Sequence, residues 1–151
     1  MPNSGTAPGH GYFFEELAVG MTATFEKHVT DEDIRSFAEV SGDFNPAHTD
    51  DEFARGTRLG ERVAHGMLTA SLVSAVLGCE LPGPGCLFVS QSTNFRAPVK
   101  PGETVTVSVT IERLDEKRKF AAFETRCTVG DTTVLDGTAL VWVPSRKEET
   151  T

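Results

Sequence analysis

The stretch MLTASLVSAVL at residues 67–77 constrains this chain more than any other, because only Thr69, Ser71 and Ser74 interrupt its apolar side chains. At 3.6 residues per turn those side chains fall on nearly every side, so the segment predicts a buried helix rather than one laid on a surface. It is too short for the roughly 20 apolar residues that span a bilayer, and the sequence predicts no membrane segment. The helix therefore needs a protein wall around it. Its small residues let a sheet come close, and LPGPG at residues 81–85 ends it.

The wall is legible downstream. Strands are expected at residues 87–96, 104–114, 119–129 and 132–143, separated by the turn-forming segments PVKPG, DEKR and GD. Val105, Val107, Val109 and Ile111 alternate with Thr104, Thr106, Ser108 and Thr110, the period-two pattern of a half-buried strand. A further strand at residues 22–28 precedes the first helix. The expected architecture is α+β, one antiparallel sheet packed against one apolar helix.

With 151 residues the chain suits a single domain with a real core. The glycine-rich opening, residues 1–11, reads as a flexible terminus without a secretion signal, and residues 146–151 as a polar tail around a domain at 12–145. A net charge of −8 with no long run of Lys or Arg gives a nucleic-acid partner little support. Cys79, Cys86 and Cys127 are odd in number and lack metal-ligand spacing, which fits reduced thiols in a cytoplasmic protein.

The first half is helical and irregular. Thr30 caps a helix whose first turn holds Asp31, Glu32 and Asp33, and Ile34, Phe37, Ala38 and Val40 form its apolar face. Gly42 ends it. In the run SGDFNPAH at residues 41–48, Asn45 can cap a new turn and Pro46 fits its first position. A continuous helix would rotate Asp43 and His48 apart, whereas this bend can bring the carboxylate and the imidazole to one side. From spacing alone the string is either a capped turn or an acid–base pair. Asp50, Asp51 and Glu52 read as another helix start rather than a metal cluster, and His10 and His28 receive no role.

The run FAEVSGDFNPAH at residues 37–48 resembles the hydratase-2 signature of MaoC-like (R)-specific enoyl-CoA hydratases, and VAHGML at 63–68 is similar to their second segment. The likeness continues through QSTNFRAPV at 91–99 and PGETV at 101–105. It implies a single hotdog fold, a homodimer or higher homo-oligomer, and reversible syn hydration of a trans-2-enoyl-CoA to an (R)-3-hydroxyacyl-CoA. In that reading Asp43 and His48 activate water, and the Gly66 backbone N–H stabilises the thioester enolate. Asn45, Ser74 and His65 support them, and His65 positions the Gly66 loop. Leu72, Val76 and Leu77 are candidate walls for the acyl chain. Arg96 is the basic residue assigned to the substrate, while Arg58, Arg62 and Lys100 are further candidates for the phosphates of coenzyme A. No metal or separate cofactor is implied. The same fold also admits a thioesterase or a non-catalytic acyl-CoA-binding protein, two alternatives that the sequence leaves open.

Overall fold

A computed structural model gives the structure of the protein and describes residues 10–147. Strand β1 (Thr22–His28) leads into helix α1 (Asp31–Ser41), two short helices α2 (Pro46–Thr49) and α3 (Asp51–Arg55), and then α4 (Gly66–Cys79). Strands β2 (Leu87–Phe95), β3 (Thr104–Asp115), β4 (Phe120–Val129) and β5 (Thr132–Trp142) follow. The five strands form one antiparallel sheet in the order β1-β3-β4-β5-β2.

The sheet curls around α4. Register shifts between Phe88 and Ser90, Ile111 and Arg113, and Cys127 and Thr128 place irregularities in three of its pairings, and such bulges bend a strand and raise its twist. Inside the curl, Leu68, Leu72, Val73, Val76 and Leu77 of α4 meet Val105, Val107, Val109 and Ile111 of β3, with Phe123 and Val141 beyond. The alternation in β3 is realised: those four residues are at most 1% exposed. Burial of one such side chain is worth about 1.5–3 kcal/mol, so packing on the sheet, more than helix propensity, stabilises α4.

Two packing expectations need correction. α4 is not enclosed on every side: Met67 is 56% exposed, and Ser71 and Ser74 are exposed with it, which leaves an open stripe beside β2. The stripe holds two of the three hydroxyls that interrupt the apolar run, Ser71 and Ser74, while Thr69 is buried. In α1, Ile34 and Ala38 are fully buried but Val40 is 84% exposed. Six residues beyond Ile34, Val40 has rotated well off the face that positions 34 and 38 share.

The expected flexible terminus, residues 1–11, falls mostly on residues 1–9, outside the described residues. Gly11 is buried, and its N–H donates to Pro84 O at 2.8 Å. Of the expected tail, the Arg146 N–H donates to Glu15 Oε1 at 3.0 Å, and residues 148–151 lie outside the described set. No helix among the described residues is long and apolar enough to cross a membrane. All three cysteines are free, and burial pushes the Cys127 thiol up to about 12.

Candidate active site

The turn after α1 is built by short polar side chains bonding to nearby backbone. Gly42 adopts φ 82°, the left-handed cap that a glycine takes without penalty. The Asp43 N–H then donates to Ser41 Oγ at 3.1 Å, the Asn45 N–H to Asp43 Oδ1 at 3.1 Å, and the Ala47 N–H to Asn45 Oδ1 at 3.0 Å. Pro46 opens α2, as its fixed φ and missing N–H favour. This chain of bonds holds the Asp43 carboxylate at the surface by one oxygen and places His48 on the last turn of α2.

A second segment meets the first. The Val63 N–H donates to Ala47 O at 3.4 Å, and the Ala64 N–H to Val99 O at 2.7 Å, fixing the approach to α4. His48 Nδ1 lies 2.8 Å from Val63 O. A carbonyl can only accept, so Nδ1 carries the hydrogen and Nε2 of the neutral ring keeps a lone pair for proton transfer. Likewise His65 Nε2 lies 3.0 Å from Asp43 O, so that nitrogen donates. His65 is 2% exposed, its Nδ1 has no hydrogen-bond partner among the described residues, and its ring stacks on His48 at 4.0 Å and meets Phe37 at 4.9 Å. One side-chain ligand atom from each of Asp43, His48 and His65 lies within 4.8 Å of the others.

That trio has the residue types of a metal site but not its geometry. Stacked rings 30° apart direct their in-plane lone pairs along nearly parallel planes, whereas ligands to one ion must converge on it at about 2.0–2.1 Å. The arrangement suits proton transfer: a carboxylate with a free oxygen beside an imidazole of fixed tautomer.

Gly66 begins α4; the Leu68 N–H already donates to His65 O at 3.0 Å, whereas the N–H groups of Gly66 and Met67 have no acceptor among the described residues and lie at the positive end of the helix dipole. The glycine also leaves room for a neighbouring ring. A Cβ there would stand 3.0 Å from Cε1 of Phe95, so any side chain would crowd the ring facing the helix start. His48, Gly66, Thr69, Phe95 and Arg96 share a cleft of about 360 Å³ that extends to Arg58.

The other expected residues fall in different places. Asn45 supports the site as the cap of α2. His65 holds the Asp43 loop through a hydrogen bond, rather than acting only on the Gly66 segment. Ser74 is exposed, has no hydrogen-bond partner among the described residues, and lines a groove of about 320 Å³ with Phe37, Met67, Ser71, Phe88 and Gln91. Leu72, Val76 and Leu77 face the core, at 8%, 1% and 1% exposure, and line neither that groove nor the cleft. Arg62 clamps the site: it donates to Asp31 Oδ1 at 2.6 Å, Asp51 Oδ1 at 2.7 Å and His48 O at 3.1 Å. Hydrogen bonds from Arg35 and Arg62 hold the Asp31 carboxyl below its usual range. Sequence reasoning missed this clamp, the Val63 carbonyl and the Phe95 ring. Only the excess of acids near residues 31 and 51 hinted at the first, and a backbone carbonyl leaves no trace in composition.

A sheet of this strand order curled about one helix is the hotdog fold, here with the carboxylate of Asp43 and the imidazole of His48 brought together near the start of that helix. The family model described as "MaoC like domain" matches residues 15–133, and the chain belongs to that family. It is 48% identical over 136 residues to the 3-hydroxybutyryl-CoA dehydratase of Methylorubrum extorquens, covering 90% of this chain and 87% of the relative. It is 46% identical over 135 residues to the (R)-specific enoyl-CoA hydratase of Rhodospirillum rubrum, covering 89% and 94%. Among solved structures, the (R)-hydratase from A. caviae involved in PHA biosynthesis matches with a TM-score of 0.83 at 38% identity, over 86% of this chain and 99% of that one. The family and fold implied by the resemblance are thus borne out.

Proposed function

We propose that this chain is an (R)-specific enoyl-CoA hydratase, adding water reversibly across the double bond of a trans-2-enoyl thioester. The observation that carries the reading is the pairing of Asp43 with a His48 whose tautomer Val63 O fixes, at the start of a helix whose Gly66 N–H has no acceptor among the described residues. Water is held between the carboxylate and Nε2 of His48. As its oxygen bonds to C3, the pair takes its proton, the C2–C3 π electrons move toward the thioester, and the enolate oxygen is stabilised by the Gly66 N–H. The pair then returns a proton to C2 on the same face, which gives syn addition. No electron is gained or lost overall, so the step needs no redox partner, and coenzyme A enters as part of the substrate.

The test is the loss of enoyl absorbance when crotonyl-CoA meets the purified protein, with chiral analysis of the product and a free-thiol assay. Formation of (R)-3-hydroxybutyryl-CoA without thiol release is the expected result. Thiol release in place of hydration would overturn the reading in favour of a thioesterase.

We also infer a homodimer formed along β2. That strand ends the sheet with one edge unpaired, and Leu87, Phe88, Val89 and Phe95 are 42–62% exposed on it. An apolar free edge is a template for pairing with a second copy. Light scattering at micromolar concentration should give twice the 16.3 kDa of one chain, and a monomer mass would overturn the inference. Three free thiols fit the reducing cytoplasm, where we place the protein.

A further inference from the structure

Four basic residues near the site were candidates for binding the phosphates of the substrate, and the structure separates them. Arg62 is committed to two carboxylates and a carbonyl. Lys100 Nζ lies 3.0 Å from Glu61 Oε2, and Arg96 Nε lies 3.1 Å from Asp136 Oδ2. Arg58 is exposed and has no ion pair or hydrogen bond from its guanidinium among the described residues. Its backbone is well held: the Thr57 N–H and Oγ1 both reach Ala54 O, at 3.0 and 2.7 Å, and the Gly60 N–H reaches Thr57 O at 3.0 Å. A fixed turn thus carries an uncommitted guanidinium at the rim of the cleft that holds His48 and Gly66.

The charge around that cleft is unusual for this chain. With a net charge of −8, the protein as a whole repels anions. Of four surface clefts, one sets Glu39, Asp50, Asp51 and Glu52 against Arg35 and Arg55, an excess of carboxylates, another sets Glu112 beside Arg113, and a third has no charged lining. The fourth contains Arg58 and Arg96 and no carboxylate. The cleft that contains the acid–base histidine is therefore the one of the four whose lining favours an anion.

We propose that Arg58 anchors the phosphates at the nucleotide end of a coenzyme A thioester, so that this cleft selects free coenzyme A substrates by charge. The proposal rests on the hydratase reading for the position of the reactive end. A guanidinium is suited to the role because its planar donors engage two phosphate oxygens at once and it stays charged at every working pH. Arg96, already shared with Asp136, is a secondary contact.

The experiment compares wild type with Arg58→Gln on two substrates: crotonyl-CoA, and crotonyl-pantetheine, which has the same reactive thioester and no phosphate. Arg58→Gln should raise KM for crotonyl-CoA about tenfold with kcat retained, leave kcat/KM for crotonyl-pantetheine unchanged, and flatten the loss of crotonyl-CoA affinity between low and high salt. Equal effects on both substrates, or none on either, would overturn the proposal. So would a wild type that prefers a carrier-protein thioester to crotonyl-CoA. Calorimetry with free coenzyme A separates the anchor from the chemistry. If wild type turned over neither thioester, the hydratase reading would fail, while weaker coenzyme A binding by Arg58→Gln would still support the anchor and equal binding would overturn it.

Discussion

Asp43→Asn and His48→Asn should each lower turnover of an enoyl-CoA by at least about a hundredfold while the folded structure survives, because in the proposed mechanism both groups move the proton of the attacking water and each variant keeps the local hydrogen bond. Asp43 is exposed, and the bond it makes as a structural element, accepting from the Asn45 N–H, is one an asparagine oxygen also makes. An asparagine at 48 places its Nδ2 where the imidazole Nδ1 stood and retains a donor for Val63 O, so the junction between α2 and the segment leading to α4 persists. What each change removes is the basic atom. The loss should therefore fall on kcat, with KM little altered, since neither group is the principal anchor of the substrate. If the two act on one water as a unit, the double variant should be scarcely slower than the worse single one. Circular dichroism and steady-state rates on the three proteins decide the matter. A variant that kept more than about a tenth of wild-type kcat would remove its residue from the mechanism.

Legibility in the sequence followed the range of the interaction. Local rules were read well: Thr30 and Asp33 form the reciprocal capping bonds their spacing predicts, at 3.0 and 2.9 Å, and Asp50 caps α3. The same holds for β1, whose bounds match the expectation, and for the other strands, whose ends differ by a residue or so. What failed was orientation within an element that is apolar all round. In residues 67–77 only Ser71 and Ser74 mark the face that stays open, and Leu72, Val76 and Leu77, the candidate acyl-chain walls, belong to the core against the sheet instead. The Asp43–His48 pair was visible because its turn chemistry is contiguous. The partners that give the pair its geometry were not, since Val63, His65 and Arg62 lie 14–22 residues from the groups they hold in that turn.

His65 is where fold and chemistry are most tightly joined, and its substitutions should separate the two. Truncation by His65→Ala empties a buried site that is stacked on His48 and packed on Phe37, and leaves Asp43 O without its donor. By analogy with other large-to-small core changes the cost should be about 2–4 kcal/mol, read as a lower denaturation midpoint, with activity falling as the turn loosens. His65→Phe poses the sharper question. It keeps an aromatic ring of similar size and removes the buried Nδ1 that has no partner, a gain, while deleting the Nε2 donor to Asp43 O, a loss. The two terms are each about 1–3 kcal/mol and opposite in sign, so stability should move little. Turnover should still fall tenfold or more, because the bond that fixes the Asp43 peptide relative to His48 is gone. An unaltered kcat in His65→Phe would mean that stacking alone holds the pair. A His65→Ala protein within about 1 kcal/mol of wild type would mean that the stack is not structural either.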